Sequence, residues 1–242
     1  MVALVISVNV YRSVKTLRLQ LDTIKRYVLC DHVVLLNCDV AFMRELKDER
    51  FEANVIVNPT FIPKARYTGS LTRGIVCNMR YALSNLEFDF FLVLSGRTVF
   101  YRELRLEDLK ARQPRWPNRA ARTTALSGPP PNESWHWPSF KKTELAKHYT
   151  RQGRKLHTTM HEGVCFYRTV VRNIVRFLGT HLDIARDLFS FPNCVEEFAL
   201  QTIATIEVDR SLYYGFIYIG NGCYNECDVS DRSKYTKKID FL

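Results

Sequence analysis

Residues 2–10, VALVISVNV, form a β-branched apolar run of strand length without polar alternation, the pattern of a strand buried on both faces. Ser13 stands where a helix N-cap belongs. VKTLRLQLDTIKRYV follows it, with Leu17, Leu21, Ile24 and Val28 near helical spacing. HVVLLN (32–37) reads as a second buried strand ending at Cys38-Asp39, and NVIVN (54–58) as a short third strand stopped by Pro59. From Ser70 to Leu86 the spacing predicts a helix with Ile75, Met79 and Leu83 or Leu86 on one side. FDFFLVLSG (88–96) is then a strongly apolar strand with an abrupt Ser-Gly end. Apolar strands alternating with amphipathic helices predict an α/β fold, a mostly parallel central sheet flanked by helices. Ligands of such sheets sit beyond the carboxyl ends of the strands. That directs attention to Asn9–Arg12, Asn37–Asp39 and Ser95–Thr98.

Residues 112–143 break the pattern. Their prolines, including a PPP run, exclude regular structure over much of the segment, yet it holds all three tryptophans, Trp116, Trp135 and Trp137. A disordered linker is poor in aromatics, so this stretch reads as a loop ordered over a site. Helix 141–151, strand 163–168 (GVCFYR), helix 169–178 and helix 195–206 follow. The 169–178 helix carries Val170, Ile174 and Phe177 or Leu178 on one face. YYGFIYIG (213–220) is the last predicted strand, and the tail DRSKYTKKIDFL is basic.

Composition narrows the reading. A chain of 242 residues with 46% hydrophobic and 25% charged residues suits one large globular domain. No apolar run approaches a membrane span. The first strand has no basic residues ahead of it, unlike a signal peptide. The seven cysteines lie mostly within apolar runs and read as reduced thiols of a cytoplasmic chain. Cys223-x-x-x-Cys227 lacks a second pair to complete a zinc site. A net charge of +10 calls for an anionic partner. Nucleic acid, a phosphorylated small molecule and an acidic glycan are the candidates; the basic residues are scattered, without a helix-turn-helix, RNP or finger motif. Phosphate-loop, dinucleotide and nucleophile-elbow motifs are missing.

Four segments, in order, resemble one family: the core-2/I-branching β-N-acetylglucosaminyltransferases and peptide O-xylosyltransferases, glycosyltransferases of GT-A fold. The segments are ISVNVYRSVKTLRLQLDTI with VVLLNCD, then GSLTRGIVCNMRYALSNLEFDFFLVLSG, MHEGVCFYRTVVRNIVRFL and NCVEEFALQTI. Together they span residues 3–206. Two details depart from the family pattern. Arg97-Thr98 follows the Leu-Ser-Gly turn where Asp is common, and Pro192 lies three residues upstream of Val195. The chain is similar to a compact, anchor-free version, such as a microbe or large virus encodes. The resemblance implies a GT-A nucleotide-binding fold in a single domain, 1–242, with a nucleotide-binding half (1–98), an acceptor loop (112–143) and an acceptor/catalytic half (144–242).

The same resemblance implies an inverting transfer of xylose or N-acetylglucosamine from a UDP-sugar to a hydroxyl of a glycan or glycoprotein, with no metal and no other cofactor. Glu197 matches the catalytic glutamate, five residues before Thr202, and Glu196 is the one-register alternative. A carboxylate near the acceptor hydroxyl is what such a reaction needs as base. Asp39, with Val8 and Tyr11, is expected at the uridine. Arg210, Arg232, Lys234, Lys237 and Lys238 are expected at the diphosphate, where cations stabilise the leaving charge. The acceptor falls to Glu133, Trp135, Trp137, Glu162 and Arg97, because sugars call for aromatics beside polar groups. The chain has no Asp-x-Asp, the usual GT-A metal motif. A metal-dependent GT-A enzyme using Asp39, and a basic nucleic-acid-binding protein, are the alternatives.

Overall fold

The computed structural model describes residues 2–11, 13–111, 124–126, 137–154, 156–158, 163–207, 213–215, 219–220 and 236–238. The first elements are β1 (Val2–Val10), α1 (Val14–Tyr27), β2 (His32–Cys38), α2 (Met43–Leu46), β3 (Val55–Val57), α3 (Gly69–Asn85) and β4 (Phe88–Leu94). Then come β5 (Thr98–Phe100), α4 (Leu106–Ala111), β6 (Thr124–Leu126), α5 (Trp137–Phe140), α6 (Glu144–Arg151), β7 (Leu156–Thr158) and β8 (Val164–Tyr167). The remaining elements are α7 (Arg168–Thr180), α8 (Leu182–Ser190), α9 (Ala199–Glu207), β9 (Tyr213–Gly215), β10 (Ile219–Gly220) and β11 (Thr236–Lys238).

The main sheet has the order β3-β2-β1-β4-β8-β9. β1 pairs in parallel with β2 on one side and β4 on the other, and β2 pairs in parallel with β3. β8 runs antiparallel to β4, and β9 antiparallel to β8. The molecule is therefore α/β, with a mostly parallel, mixed sheet. The central strands are continuous apolar runs because both faces are covered. Odd positions of β1, β2 and β4 (Val5, Leu35, Phe91, Val93) join Ile75 and Met79 of α3, Val170 and Ile174 of α7 and Ile203 of α9 in one core. Even positions (Leu4, Ile6, Val34, Leu36, Leu92) join Leu17 and Ile24 of α1, with Leu104 and Leu109, in the other. The period-two alternation of a strand makes this division.

Local signals explain the helix ends. Ser13 caps α1, its side chain accepting the Thr16 amide at 3.2 Å. The buried face of α1 holds Thr16, Leu17, Gln20 and Ile24, so Gln20 lies on the inner side and Leu21 at its margin. Gln20 Nε2 donates to the Ser95 carbonyl at 2.8 Å, which ties α1 to the end of β4. Among the described residues no helix is long and apolar enough to cross a membrane.

Several boundaries differ from expectation. Residues 196–198 form a turn, and the helix predicted from 195 begins at Ala199. α2, α4, α5 and α8 and the short strands β5, β6 and β7 were not predicted. The strand predicted over 213–220 is described as two short strands in different sheets, β9 on β8 and β10 on β11. β11 lies within the segment read as a basic tail. It pairs antiparallel with β5, with Lys237 opposite Val99 and Lys238 opposite Thr98. Of the predicted acceptor loop, the described parts are β6, which pairs with β7, and residues 137–143.

Candidate functional site

The carboxyl edge of the parallel strands gathers polar side chains. Asn9 of β1 and Asn37 of β2 are register partners, and both point to the α3 side with the odd-numbered core residues. Asn9 Nδ2 donates to the Leu71 carbonyl at 2.9 Å, tying β1 to the first turn of α3. Asn9 Oδ1 is buried and accepts no hydrogen bond among the described residues. Asn37 Nδ2 donates to the Thr60 carbonyl at 2.8 Å, and Lys64 Nζ donates to Asn37 Oδ1. Asp39, one residue past β2, accepts the Ala41 amide on Oδ1 and the Lys64 amide on Oδ2, each at 2.6 Å. Its carboxylate thus fixes the backbone on both sides of the β2 end.

Gly74 lets α3 approach these strand ends. A Cβ there would stand 2.0 Å from Asn9 Oδ1, 2.7 Å from Lys64 Nζ and 2.9 Å from Asn37 Oδ1. Beneath this cluster a row of amides continues into the core. Asn78 Nδ2 donates to Ser7 Oγ at 3.0 Å and to the Leu35 carbonyl at 2.9 Å. Asn78 Oδ1 accepts from Asn58 Nδ2 at 2.9 Å, and Asn58 Oδ1 accepts the Thr60 amide at 2.9 Å. The loop from 58 to 64 is therefore braced against β1, β2 and α3, and its brace ends at Lys64. Burial pushes the Lys64 ammonium down to a pKa of about 8, and neighbouring Arg73 adds to the shift; Cys38, Cys77 and Asp39 act in the opposite direction. Burial also pushes the Cys38 thiol up to about 12.

The segment that leads into the turn carrying the two glutamates is tied to the same helix end. Gly69, first residue of α3, donates its amide to the Phe191 carbonyl at 2.9 Å, just upstream of that turn. Glu196 is 1% exposed, with Oε1 accepting the Cys194 thiol and Oε2 the Val195 amide, both at 3.1 Å. Glu197 is half-buried. Thr202 serves packing: its hydroxyl donates to the His157 carbonyl at 3.0 Å and accepts the His157 amide at 2.9 Å, pinning β7 to α9.

The other expected residues divide as follows. Val8 is fully buried in the core under α1, and Tyr11 is half-buried just past β1. Arg97 is half-buried in the turn between β4 and β5. Lys237 and Lys238 lie on β11 beside β5, and Trp137 opens α5; nothing is described of these three side chains. Arg210, Arg232, Lys234, Glu133, Trp135 and Glu162 lie outside the described residues. Among the described residues no group of three or more His, Cys, Asp or Glu is placed to hold a metal. Lys64 was missed by sequence reasoning. Its signal was a lysine between two prolines and a helix start, in the segment NPTFIPKA.

A cavity of about 440 Å³ lies elsewhere, between α1 and residues 48–55, over the starts of β2 and β3. Ion pairs Arg18–Glu49 at 2.7 Å and Lys25–Glu52 at 2.6 Å cross it. It is lined by residues from the amino ends of β2 and β3, whereas ligands of parallel sheets gather at the carboxyl ends. The functional reading therefore rests on the carboxyl edge. The chain matches no known protein-family model, and no curated protein matches it.

Proposed function

We propose that the chain is a UDP-sugar-dependent glycosyltransferase of GT-A type, inverting and metal-independent, moving xylose or N-acetylglucosamine to a hydroxyl of a glycan or glycoprotein. The observation that carries this reading is the return of β11 to β5. That register sets Lys237 and Lys238 of the basic C-terminal segment beside the strand that leaves the β4 end. β11 thus runs beside the strand that follows the carboxyl end of β4, which supports a role for the basic segment there. The parallel order β3-β2-β1-β4, followed by antiparallel β8, is compatible with a nucleotide-binding α/β sheet.

In this reading the uridine lies over the β1 and β2 ends, near Asp39 and Tyr11. Glu197 removes the proton of the acceptor hydroxyl as its oxygen attacks the anomeric carbon. The bond from that carbon to the diphosphate breaks from the opposite face, and its electron pair leaves on the diphosphate oxygen. Basic side chains, drawn from Arg210, Arg232, Lys234, Lys237 and Lys238, stabilise that charge. The acceptor sugar meets Arg97, Glu133, Trp135, Trp137 and Glu162. Glu197 fits the base better than Glu196, whose carboxylate is buried and engaged.

A thermal-shift panel of nucleotides, with and without EDTA, tests the reading. A ligand at about 100 times its dissociation constant adds about 2.7 kcal/mol to folding. UDP is expected to stabilise the protein more than GDP, CMP or AMP. Turnover of UDP-xylose or UDP-N-acetylglucosamine is expected to survive excess EDTA. Equal shifts with every nucleotide and no turnover sink the proposal. Activity abolished by EDTA and restored by Mn²⁺ moves it to a metal-dependent transferase.

A further inference from the structure

Lys64 is a half-buried cation at the edge where an α/β sheet takes its ligands, and a neutral amide holds it there. It forms no ion pair among the described residues. Asp39, the acidic neighbour, has both carboxylate oxygens accepting backbone amides, one of them from Lys64 itself. The other groups that act on the ammonium are Cys38 of β2 and Cys77 and Arg73 of α3. Burial raises both thiols, so they stay protonated and supply no counter-charge. Arg73 adds a like charge. Withdrawing a cation from water without a directly paired counter-ion costs free energy that the Asp39 charge offsets only in part, and here the amide brace from Ser7 through Asn78, Asn58 and Thr60 to Asn37 holds it in place. A fixed, half-desolvated ammonium that pairs with no carboxylate, beside an Asp39 already engaged by backbone amides, is the arrangement expected of an anion site before its ligand arrives.

We propose that Lys64 is an anion-binding residue of the nucleotide half, that it holds a phosphoryl oxygen of the ligand, and that it takes up a proton when it does so. Naming that ligand as UDP rests on the glycosyltransferase reading; the anion site itself does not. Lys64 belongs to the N-terminal half of the sequence, far along the chain from the basic C-terminal segment. Its depressed basicity leaves it largely neutral at pH 8.5, and a bound phosphate restores its charge.

Isothermal titration at pH 8.5, in two buffers of different ionisation enthalpy, reads both parts of the proposal. The probes are UDP, uridine and inorganic pyrophosphate; the proteins are wild type, Lys64→Gln and Lys64→Arg. Wild type is expected to take up more than about half a proton per UDP, since UDP is already fully ionised there. Lys64→Gln is expected to bind UDP at least about tenfold more weakly, without proton uptake, and uridine within about threefold of wild type. Lys64→Arg restores most of the UDP affinity without uptake, because arginine stays charged. Should the variants not fold, wild-type UDP affinity decides. It falls from pH 7.5 to pH 8.5, below the range where the uracil N3–H ionises, while uridine affinity stays flat if the proposal holds.

Wild-type UDP binding without proton uptake, or unchanged in Lys64→Gln, overturns the role of Lys64 and leaves the glycosyltransferase reading standing. Pyrophosphate binding with Lys64-dependent uptake, but none of UDP or uridine, keeps the anion site and removes the UDP donor. No binding of any probe overturns both.

Discussion

Glu196 has its carboxylate closed in by the Cys194 thiol and the Val195 amide, while the next residue, Glu197, is half-buried on the same turn. The two are therefore separable by experiment. Glu197→Gln keeps the shape of the side chain but cannot accept a proton. Loss of a general base costs 10²–10⁴-fold, so kcat is expected to fall by about that much, with UDP affinity near wild type. Glu196→Gln is expected to act on stability instead, because a neutral amide presents an N–H where the thiol and amide now donate. Steady-state rates and urea midpoints on both variants check this. Glu197→Gln retaining more than about a tenth of wild-type turnover, while Glu196→Gln loses it, shifts the base by one residue. Gly74 is a second residue-scale test. Alanine there puts a methyl 2.0 Å from Asn9 Oδ1 and 2.7 Å from Lys64 Nζ, against side chains that are already braced. Gly74→Ala is expected to cost about 1–3 kcal/mol, the usual range for overpacking. A urea midpoint equal to wild type means that Asn9 and Lys64 move aside freely.

Among the elements, α3 does the most to organise the site, because its inner face carries both core residues and the amide row. Asn78 is fully buried and serves β1, β2 and the 58–64 loop at once. Asn78→Ala strands the Asn58 amide and removes the amide that donates to Ser7 Oγ, so a loss of at least about 2 kcal/mol is expected. Denaturant unfolding with an unchanged m-value checks it, and a loss below about 0.5 kcal/mol denies the amide row any structural role. The long elements were legible in the sequence. β1, α1, α3, β4 and α7 carry unbroken apolar runs or helical spacing, and their bounds fall within two residues of those predicted. Shorter ones were not. α8 follows α7 after His181 alone, with no loop residues to announce it. The 213–220 run was read as one strand because its apolar pattern is continuous, whereas pairing with two different partners divides it. The carboxyl-edge windows at Asn9 and Asn37–Asp39 were legible from topology. Lys64 was not, since its place depends on how closely α3 settles over Gly74.

For the molecule as a whole, pH reads the balance of buried ionisable groups. In the unfolded chain Lys64 keeps its proton up to about pH 10.5, whereas in the folded protein it gives it up near pH 8. Unfolding between these values takes up a proton, so rising pH opposes unfolding and stability climbs from pH 8 upward. Below pH 8 both states hold the proton, and the penalty for burying the charge is constant. The slope from one group is at most about 1.4 kcal/mol per pH unit. Thiols work the other way. Burial raises Cys30 to about 11 and Cys38 to about 12, against an ordinary value of 9.0. Above pH 9 unfolding releases their protons, and stability falls. Cys77 is raised by burial as well, and three thiols against one lysine make the fall outweigh the climb beyond that point. Wild type is therefore expected to gain stability from pH 7.5 to about pH 9 and to lose it at higher pH. Urea unfolding under reducing conditions at pH 7.5, 8.5, 9 and 10 measures the profile. Lys64→Gln is expected to show no climb and the same fall, while Cys38→Ala keeps the climb and has a shallower fall. A wild-type curve that declines steadily from pH 7.5, in parallel with Lys64→Gln, means that Lys64 retains its ordinary basicity in the fold, and the cation at the strand ends is then solvated rather than held for an anion.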